Sequence, residues 1–481
     1  MSSITRTFKK FPRVFWVANI IELFERFAWY GFFMLFANYL TSSIDVGGLE
    51  LSQAQKGIIM GVGTGILYFL PVITGSIADR FGYKRVLFIA FIIYTSAFIL
   101  MPLFKSFIGV FLIYLYLALG AALFKPIISA TVAKSTNDET ASIGFGIFYM
   151  MVNLGAFFGP LVTLLFKDSS YTLVYYIAAG IIAINFFLLL FYKEPERETS
   201  NDTLGASISK IFTNIFEVMA NGKFVLFLLI VAGFWTMYNQ LFFTLPVFIM
   251  QWVDTSSVYN FFSANMPFFS ENYGTATGQM QAEFIVNFDA MYIILFQVIV
   301  SSIVMKWRPL RSMMVGFLVC AIGMALTLTT QNVLFTLVAI YIFAIGEMAG
   351  SPKITEYIGR IAPPEKKALY MGYSFIPVFL GNVFAGIISG NVYEWMSDKT
   401  TFVKQEVAAR GLSIDEGLTQ NEYFEQAATA MNMNSNELTN YLWDTYNPAS
   451  IWTVILIIGL AAVVALFFYD KHLSKTEGTN N

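Results

Sequence analysis

Charge is what this sequence has least of. Of its 481 residues only 12% are Asp, Glu, Lys or Arg, about half of the roughly 25% found in soluble globular chains. With 57% hydrophobic and 17% aromatic residues, so little charge cannot coat a water-soluble fold, and large apolar patches would face solvent. This argues against a soluble enzyme and against a disordered chain. The net charge of −2 also lacks the basic footprint of a nucleic-acid binder. Histidine is nearly absent too. The single His472 lies past the last apolar run, so any proton coupling must run through Glu and Asp. The single Cys320 allows no internal disulfide. There is no HExxH, no P-loop and no cysteine cluster, so ATP-driven transport and metalloprotease chemistry lack their residues and no cofactor or metal is implied. What remains is a polytopic membrane protein.

Apolar runs of about 20 residues or more recur along the chain, each long enough to cross a hydrocarbon core of roughly 30 Å as a helix. They fall at 14–40, 54–78, 85–103, 107–133, 141–166, 171–192, 224–252, 284–305, 310–329, 332–360, 368–396 and 450–469. Backbone groups in lipid must bond internally, so about twelve transmembrane helices are expected. Lys9, Lys10 and Arg13 run straight into the first span without a small-residue cleavage site, which predicts a retained span and no removable signal peptide. Basic residues collect in the even-numbered connections: Arg80, Lys84 and Arg85; Lys134; Lys193, Arg197, Lys210 and Lys223; Lys306, Arg308 and Arg311; Arg360, Lys366 and Lys367. The positive-inside rule then places both termini in the cytoplasm.

A polar stretch near 193–223 divides the runs into two blocks, as in two-lobed transporters. The expected division is a lobe at 1–193, a cytoplasmic linker at 194–222 and a second lobe at 223–481. Within the linker, Ile208–Met219 alternates at helical spacing and suits the membrane surface. Two longer outer loops lie at 254–283 and 397–449. The second is acidic and is expected to form short helices, as a solvated cap.

Ionisable residues at membrane depth are costly and therefore functional candidates. Glu22, Glu25 and Arg26 share one face of the first span. Either they only lock helix packing, or one of two carboxylates sharing one arginine exchanges a proton. Lys125 in the fourth span stands beside Pro126, which must bend its helix or free a carbonyl. A lone amine there needs a partner, and Asp289 and Glu347 in spans eight and ten are the available carboxylates. Lys353 and Glu356 are spaced to pair, either as an anchor at the cytoplasmic end or as part of a gate.

Motifs then lead to a family. Gly75-Ser-Ile-Ala-Asp79-Arg80-Phe-Gly82-Tyr-Lys84-Arg85 resembles the G-x-x-x-D-R-x-G-R-[KR] loop of the major facilitator superfamily, with Tyr83 where an arginine is common. Glu22-Leu-Phe-Glu25-Arg26-Phe-Ala-Trp-Tyr30-Gly31 is similar to the E-x-x-E-R-F-x-Y-Y-G motif of that superfamily's proton-dependent oligopeptide transporter family. Tyr68-Phe-Leu-Pro71, Lys125-Pro126, Phe148-Tyr149-Met-Met-Val-Asn153-Leu-Gly155, Phe234-Trp235 with Gln240, and Gly346-Glu347 with Ser351-Pro352 match further motifs of the family. The resemblance covers nearly the whole chain. It implies an all-α membrane protein of two six-helix lobes, with a binding site between them near the bilayer midplane.

Carried over residue by residue, the resemblance implies that Glu22, Glu25 and Arg26 handle a proton and that Lys125 links proton to substrate. Tyr30, Tyr68, Asn153 and Trp235 would line the cavity, Glu347 would hold a peptide's amino terminus, and Asp79 and Arg80 would gate. Three positions depart from the pattern. Phe33 replaces an arginine that grips a peptide carboxylate, Tyr238-Asn239 replaces an acidic residue in span seven, and Asp289 stands where asparagine is frequent. Asp289 is the expected substitute partner of Lys125. The implied function is proton-driven symport of short peptides in a bacterial inner membrane, with a non-peptide ligand such as nitrate, a modified amino acid or a drug as the alternative. A membrane enzyme or receptor would need a nucleophile–base set or metal ligands at one depth, and none is found. The expected partners are substrate, protons and the lipid bilayer, and a monomer is compatible with all of this.

Overall fold

Proline and polar residues decide where the helices of this chain start, bend and stop. The structure is a computed structural model that describes residues 10–137, 140–167, 170–196, 219–326, 330–363 and 367–478, with a few positions between 205 and 213. The expected surface helix at Ile208–Met219 falls almost entirely outside the described residues, as do Lys9, Arg197, Lys210 and Lys366.

The first helix, α1, covers Arg13–Thr41, followed by α2 at Gln53–Phe69 and α3 at Pro71–Phe81. Pro71 has no N–H to continue the ladder, and α2 and α3 meet at a bend of 43°. Next come α4 at Tyr83–Leu100, α5 at Phe107–Lys134, α6 at Ala141–Leu164 and α7 at Tyr171–Phe191. Ser106 caps α5 by accepting from the Gly109 N–H at 3.3 Å, which satisfies one of the donors a helix start leaves open. The seventh expected span is broken into α8 (Gly222–Tyr238), α9 (Gln240–Phe243) and α10 (Leu245–Trp252), the last carrying Pro246 in its first turn.

The loop at 254–283 folds into α11 (Ser256–Asn265) and α12 (Pro267–Tyr273). Then follow α13 (Ala282–Val286), α14 (Phe288–Val304), α15 (Pro309–Ala325), α16 (Val333–Ile361), α17 (Lys367–Tyr373) and α18 (Phe375–Ile387). A π-helical turn at Ile388–Val392 leads to α19 (Tyr393–Met396). The acidic loop holds the short helices expected of it, α20 (Lys399–Ala409), α21 (Gln420–Ala430) and α22 (Ser435–Tyr446), before the final α23 (Ser450–Gly478). Thr419 with Glu422 and Asn434 with Glu437 form capping boxes at α21 and α22, so these helices are specified locally.

Helices occupy every range in which the sequence predicts a span. Among the described residues, nine segments are long and apolar enough to cross a membrane, and the bent α2–α3 pair makes a tenth. Glu22, Glu25 and Arg26 lower the hydropathy of α1, and α15 has only 17 residues. This is an integral membrane protein of helical fold.

The chain forms two compact units, residues 1–33 with 66–224 and residues 34–65 with 225–481. In the first, α1 lies against α6 through glycine: a Cβ on Gly159 would stand 2.4 Å from the Phe27 carbonyl oxygen, and Thr163 Oγ1 donates to the Gly31 carbonyl at 2.8 Å. In the second, the start of α2 lies against the end of α18. A Cβ on Gly57 would stand 2.2 Å from the Gly386 carbonyl oxygen. Backbone atoms cannot yield as a flexible side chain does, so Gly57→Leu is expected to destabilise the protein by about 1–3 kcal/mol or more. Thermal melting in detergent, with Gly180→Leu as the control because nothing lies within 4 Å of that position, checks this; equal melting of the two variants would refute it.

Candidate functional site

In the first unit three charges meet on α1. The Arg26 guanidinium donates from Nε to Glu25 Oε2 at 2.5 Å and from Nη2 to Glu25 Oε1 at 2.7 Å, and its Nε lies 3.2 Å from Glu22 Oε1. Glu25 is fully buried, Glu22 is 4% exposed and Arg26 is 6% exposed. Tyr94 on α4 donates its hydroxyl to Glu25 Oε1 at 2.5 Å. The two carboxylates are therefore unequal: Glu25 has a bidentate partner and a phenol, whereas Glu22 has one contact. Gly155 on α6 makes room for the cluster, since a Cβ there would lie 2.6 Å from the Arg26 Cβ.

The other expected residues of this unit lie close by. Arg26 stands 6.0 Å over the Tyr30 ring. Lys125 Nζ sits 4.0 Å over the half-buried Tyr68 ring, a cation–π contact, and is within electrostatic reach of Glu22. Pro126 frees a carbonyl, that of Ala122 four residues back, and Thr74 on α3 donates to it at 2.6 Å. Asn153 turns back on its own helix, donating to the Tyr149 carbonyl at 3.0 Å. Phe33 is core, 6% exposed and stacked on Trp29 at 5.3 Å, so no guanidinium stands at that position.

At the end of α3, Asp79 Oδ1 accepts from the Tyr83 hydroxyl at 2.9 Å, and Arg80 lies 5.9 Å over the Phe81 ring. Tyr83, the residue that departs from the loop motif, thus supplies a neutral donor to the aspartate. Glu194 accepts from the Tyr83 and Lys84 backbone N–H groups at 2.9 and 3.4 Å, fastening the start of α4.

In the second unit Tyr238 donates its hydroxyl to Glu347 Oε1 at 2.8 Å, and the Trp235 ring lies edge-on to Tyr238 at 4.9 Å. Asp289 is 5% exposed and within electrostatic reach of Glu347. Its Oδ1, like Glu347 Oε2, is buried with no hydrogen-bond partner among the described residues. Two carboxylates with open acceptor positions can receive an ammonium group or hold a proton. Lys353 pairs with Glu356 at 2.7 Å, as the spacing predicts, and Arg360 joins the same carboxylate.

Sequence reasoning missed three buried groups. Tyr94 gives no local signal because its partner is 69 positions away. Asn38 and Glu283, both buried in the second unit, are joined by a hydrogen bond of 2.8 Å. Lys56, fully buried, donates to the Phe243 carbonyl at 3.1 Å, lies 5.2 Å from the Tyr393 ring and faces Asp398 and Glu394. A Lys inside an expected span was the available signal. Nearby, Gln420 N–H donates to Glu50 at 2.8 Å and Asn421 Nδ2 to Asp45 at 2.9 Å, so the acidic loop is bonded to the turn between α1 and α2. Partial burial raises the Asp45 carboxyl, but hydrogen bonds from Ser43 and Asn421 outweigh it and hold the group below its ordinary range.

Comparisons with known proteins follow this geometry. A family model described as Major Facilitator Superfamily matches residues 18–386. The uncharacterized MFS-type transporter YqjV of Bacillus subtilis (strain 168) is 24% identical over 394 residues, covering 80% of this chain and 87% of that protein. The di-/tripeptide transporter of Lactococcus lactis subsp. lactis (strain IL1403) is 31% identical over 174 residues, 34% of each chain, so the match spans about a third of that peptide transporter's length. A solved POT family transporter in complex with 5-aminolevulinic acid shares the fold, with a TM-score of 0.68 at 18% identity over 95% of this chain and 97% of that one.

Removing the Lys56 amine leaves the buried Phe243 carbonyl without that donor. Lys56→Met is expected to lower stability by about 1–3 kcal/mol. Thermal or denaturant melting of the purified protein measures it, and a loss under about 0.5 kcal/mol would show that this amine carries no weight.

Proposed function

The chain belongs to the Major Facilitator Superfamily, and from that premise we propose that it is a proton-coupled symporter of short peptides working by alternating access. The observation that carries this reading is the unequal sharing of Arg26 by two buried carboxylates. Glu25, held by Arg26 and Tyr94, serves as the fixed anion. Glu22, with a single contact, is the carboxylate that takes and releases the proton. When Glu22 is neutral, the pull on Lys125 weakens, and Lys125 transmits that change to a substrate carboxylate. Tyr30, Tyr68, Asn153 and Trp235 line the cavity, and Glu347 receives the substrate's ammonium group. Asp79 and Arg80, Pro126, and the Lys353–Glu356 pair serve the gate.

In this reading the lobes are 1–193 and 223–481 with 194–222 as linker, both termini are cytoplasmic, and the host membrane is a bacterial inner membrane. The superfamily is one of transporters, and no enzymatic step is proposed.

A specific observation favours a second reading. Phe33 is packed in the core where a carboxylate-gripping arginine would stand, while Asp289 and Glu347 are buried carboxyls with open acceptor atoms among the described residues. This combination suits an ammonium-bearing ligand other than an ordinary di- or tripeptide, and the solved neighbour with 5-aminolevulinic acid shows that its fold accepts such a ligand.

Proteoliposome uptake of a labelled dipeptide under an imposed pH gradient tests the proposal. Uptake is expected to require the gradient, to collapse with a protonophore and to be competed by di- and tripeptides. Competition by non-peptide amines alone would select the second reading, and uptake indifferent to the gradient would end both. Glu22→Gln is expected to lower gradient-driven uptake on the order of tenfold while sparing counterflow exchange. Lys125→Ala and Asp289→Asn are proposed to be functionally coupled; losses that add to within about 0.3–0.5 kcal/mol in the double variant would exclude that coupling.

A further inference from the structure

We propose that the first unit carries a docking site for an anionic phospholipid, formed by Lys84 and Arg85 above an apolar groove between α4 and α7. The groove encloses about 560 Å³ and is lined by Lys84, Arg85, Phe88, Ile89, Phe186 and the Leu189–Leu190 pair. Phe88 and Phe186 meet edge to face at 5.5 Å and form its floor. Phe88 and Ile89 are each 49% exposed and Leu190 is 70% exposed. In an integral membrane protein that surface faces acyl chains.

The position of the charges gives the groove a direction. Lys84 and Arg85 lie in the first turn of α4, at its membrane-boundary end, and the apolar residues follow within the next turn and on the last turns of α7. Neither side-chain cation has a carboxylate within 4 Å among the described residues, in contrast to Arg26, Lys353 and Arg410. The nearby acid, Glu194, is already engaged by the backbone N–H groups of Tyr83 and Lys84. It therefore closes the helix end without neutralising the side chains. Two unpaired cations at a helix end above an open hydrocarbon groove complement a phosphodiester with its acyl chain below, and each such cation adds roughly 1 kcal/mol of attraction to an anionic leaflet. A free phosphate would leave the apolar floor unused, and a zwitterionic lipid would bring its own ammonium beside the two cations and offset their attraction to its phosphate.

The groove's lining shares no residue with the Glu22–Arg26 cluster. It adjoins the Asp79–Tyr83 hydrogen bond through the turn that carries Lys84, so an occupant would steady the end of α3 against the start of α4.

Full-length protein in neutral detergent, titrated with phosphatidylglycerol, phosphatidylcholine or inorganic phosphate and read by native mass spectrometry and thermal melting, tests the proposal. Saturable binding of phosphatidylglycerol with a rise in melting temperature is expected, with at least an order-of-magnitude preference over phosphatidylcholine and no effect of inorganic phosphate. Lys84→Gln with Arg85→Gln should remove that preference. Ile89→Glu, which keeps both cations and spoils the groove, should remove it too, whereas Lys306→Gln should not. Wild-type protein that binds both lipids alike, a Lys84/Arg85 variant that keeps the preference, or inorganic phosphate that reproduces the stabilisation would each overturn the site.

Discussion

Arg26 is a permanent cation in a buried position, and much of the first unit is arranged around its satisfaction. A guanidinium cannot shed its proton in a protein, so its charge must be met by carboxylates that are themselves expensive to bury. Glu25 meets it through two hydrogen bonds and Glu22 through one ion pair. Closing the arrangement requires a donor from another helix, Tyr94, and a glycine on a third, Gly155, where any side chain would collide with Arg26. One charge thereby dictates residue choice on α1, α4 and α6.

The same constraint recurs in the second unit with the opposite sign. Asp289 and Glu347 are buried carboxyls with open acceptor atoms among the described residues, and Tyr238 donates to Glu347. Open acceptors of this kind can receive a proton or an ammonium group. The Arg26 cluster meets its cation with carboxylates, whereas the Asp289 and Glu347 carboxyls keep open acceptor atoms among the described residues.

Local chemistry made a good deal of this legible. Pro126 announced a freed carbonyl, and the Ala122 oxygen bonded by Thr74 is that carbonyl. The Lys353–Glu356 spacing announced a pair. The apolar runs announced helices in the right places, because in lipid a continuous apolar segment has few other ways to satisfy its backbone. Other features gave no such notice. The breaks within 222–252 fall at Asn239 and Thr244, the second just before Pro246, and Asn239 and Thr244 look ordinary in sequence. Tyr83 read as a weakened motif position, yet its hydroxyl reaches Asp79. Lys56 was hidden by its place near the start of an apolar run, where a lysine usually reaches water.

What the sequence determined by itself was the solvent of the protein, the helical form of its elements and the short list of charges that lipid would not tolerate without cause. Those conclusions depend on composition and on residues within a few turns of one another. Only the tertiary structure decided which carboxylate Arg26 holds twice, that Tyr94 completes it, that Lys125 rests on Tyr68, and that the first turns of α2 belong with residues 225–481 and not with the rest of the first block. The first is a choice between two neighbours on one helix face, and the others rest on partners far apart in the chain. No local pattern records them, because the energy that selects them exists only once the helices are packed.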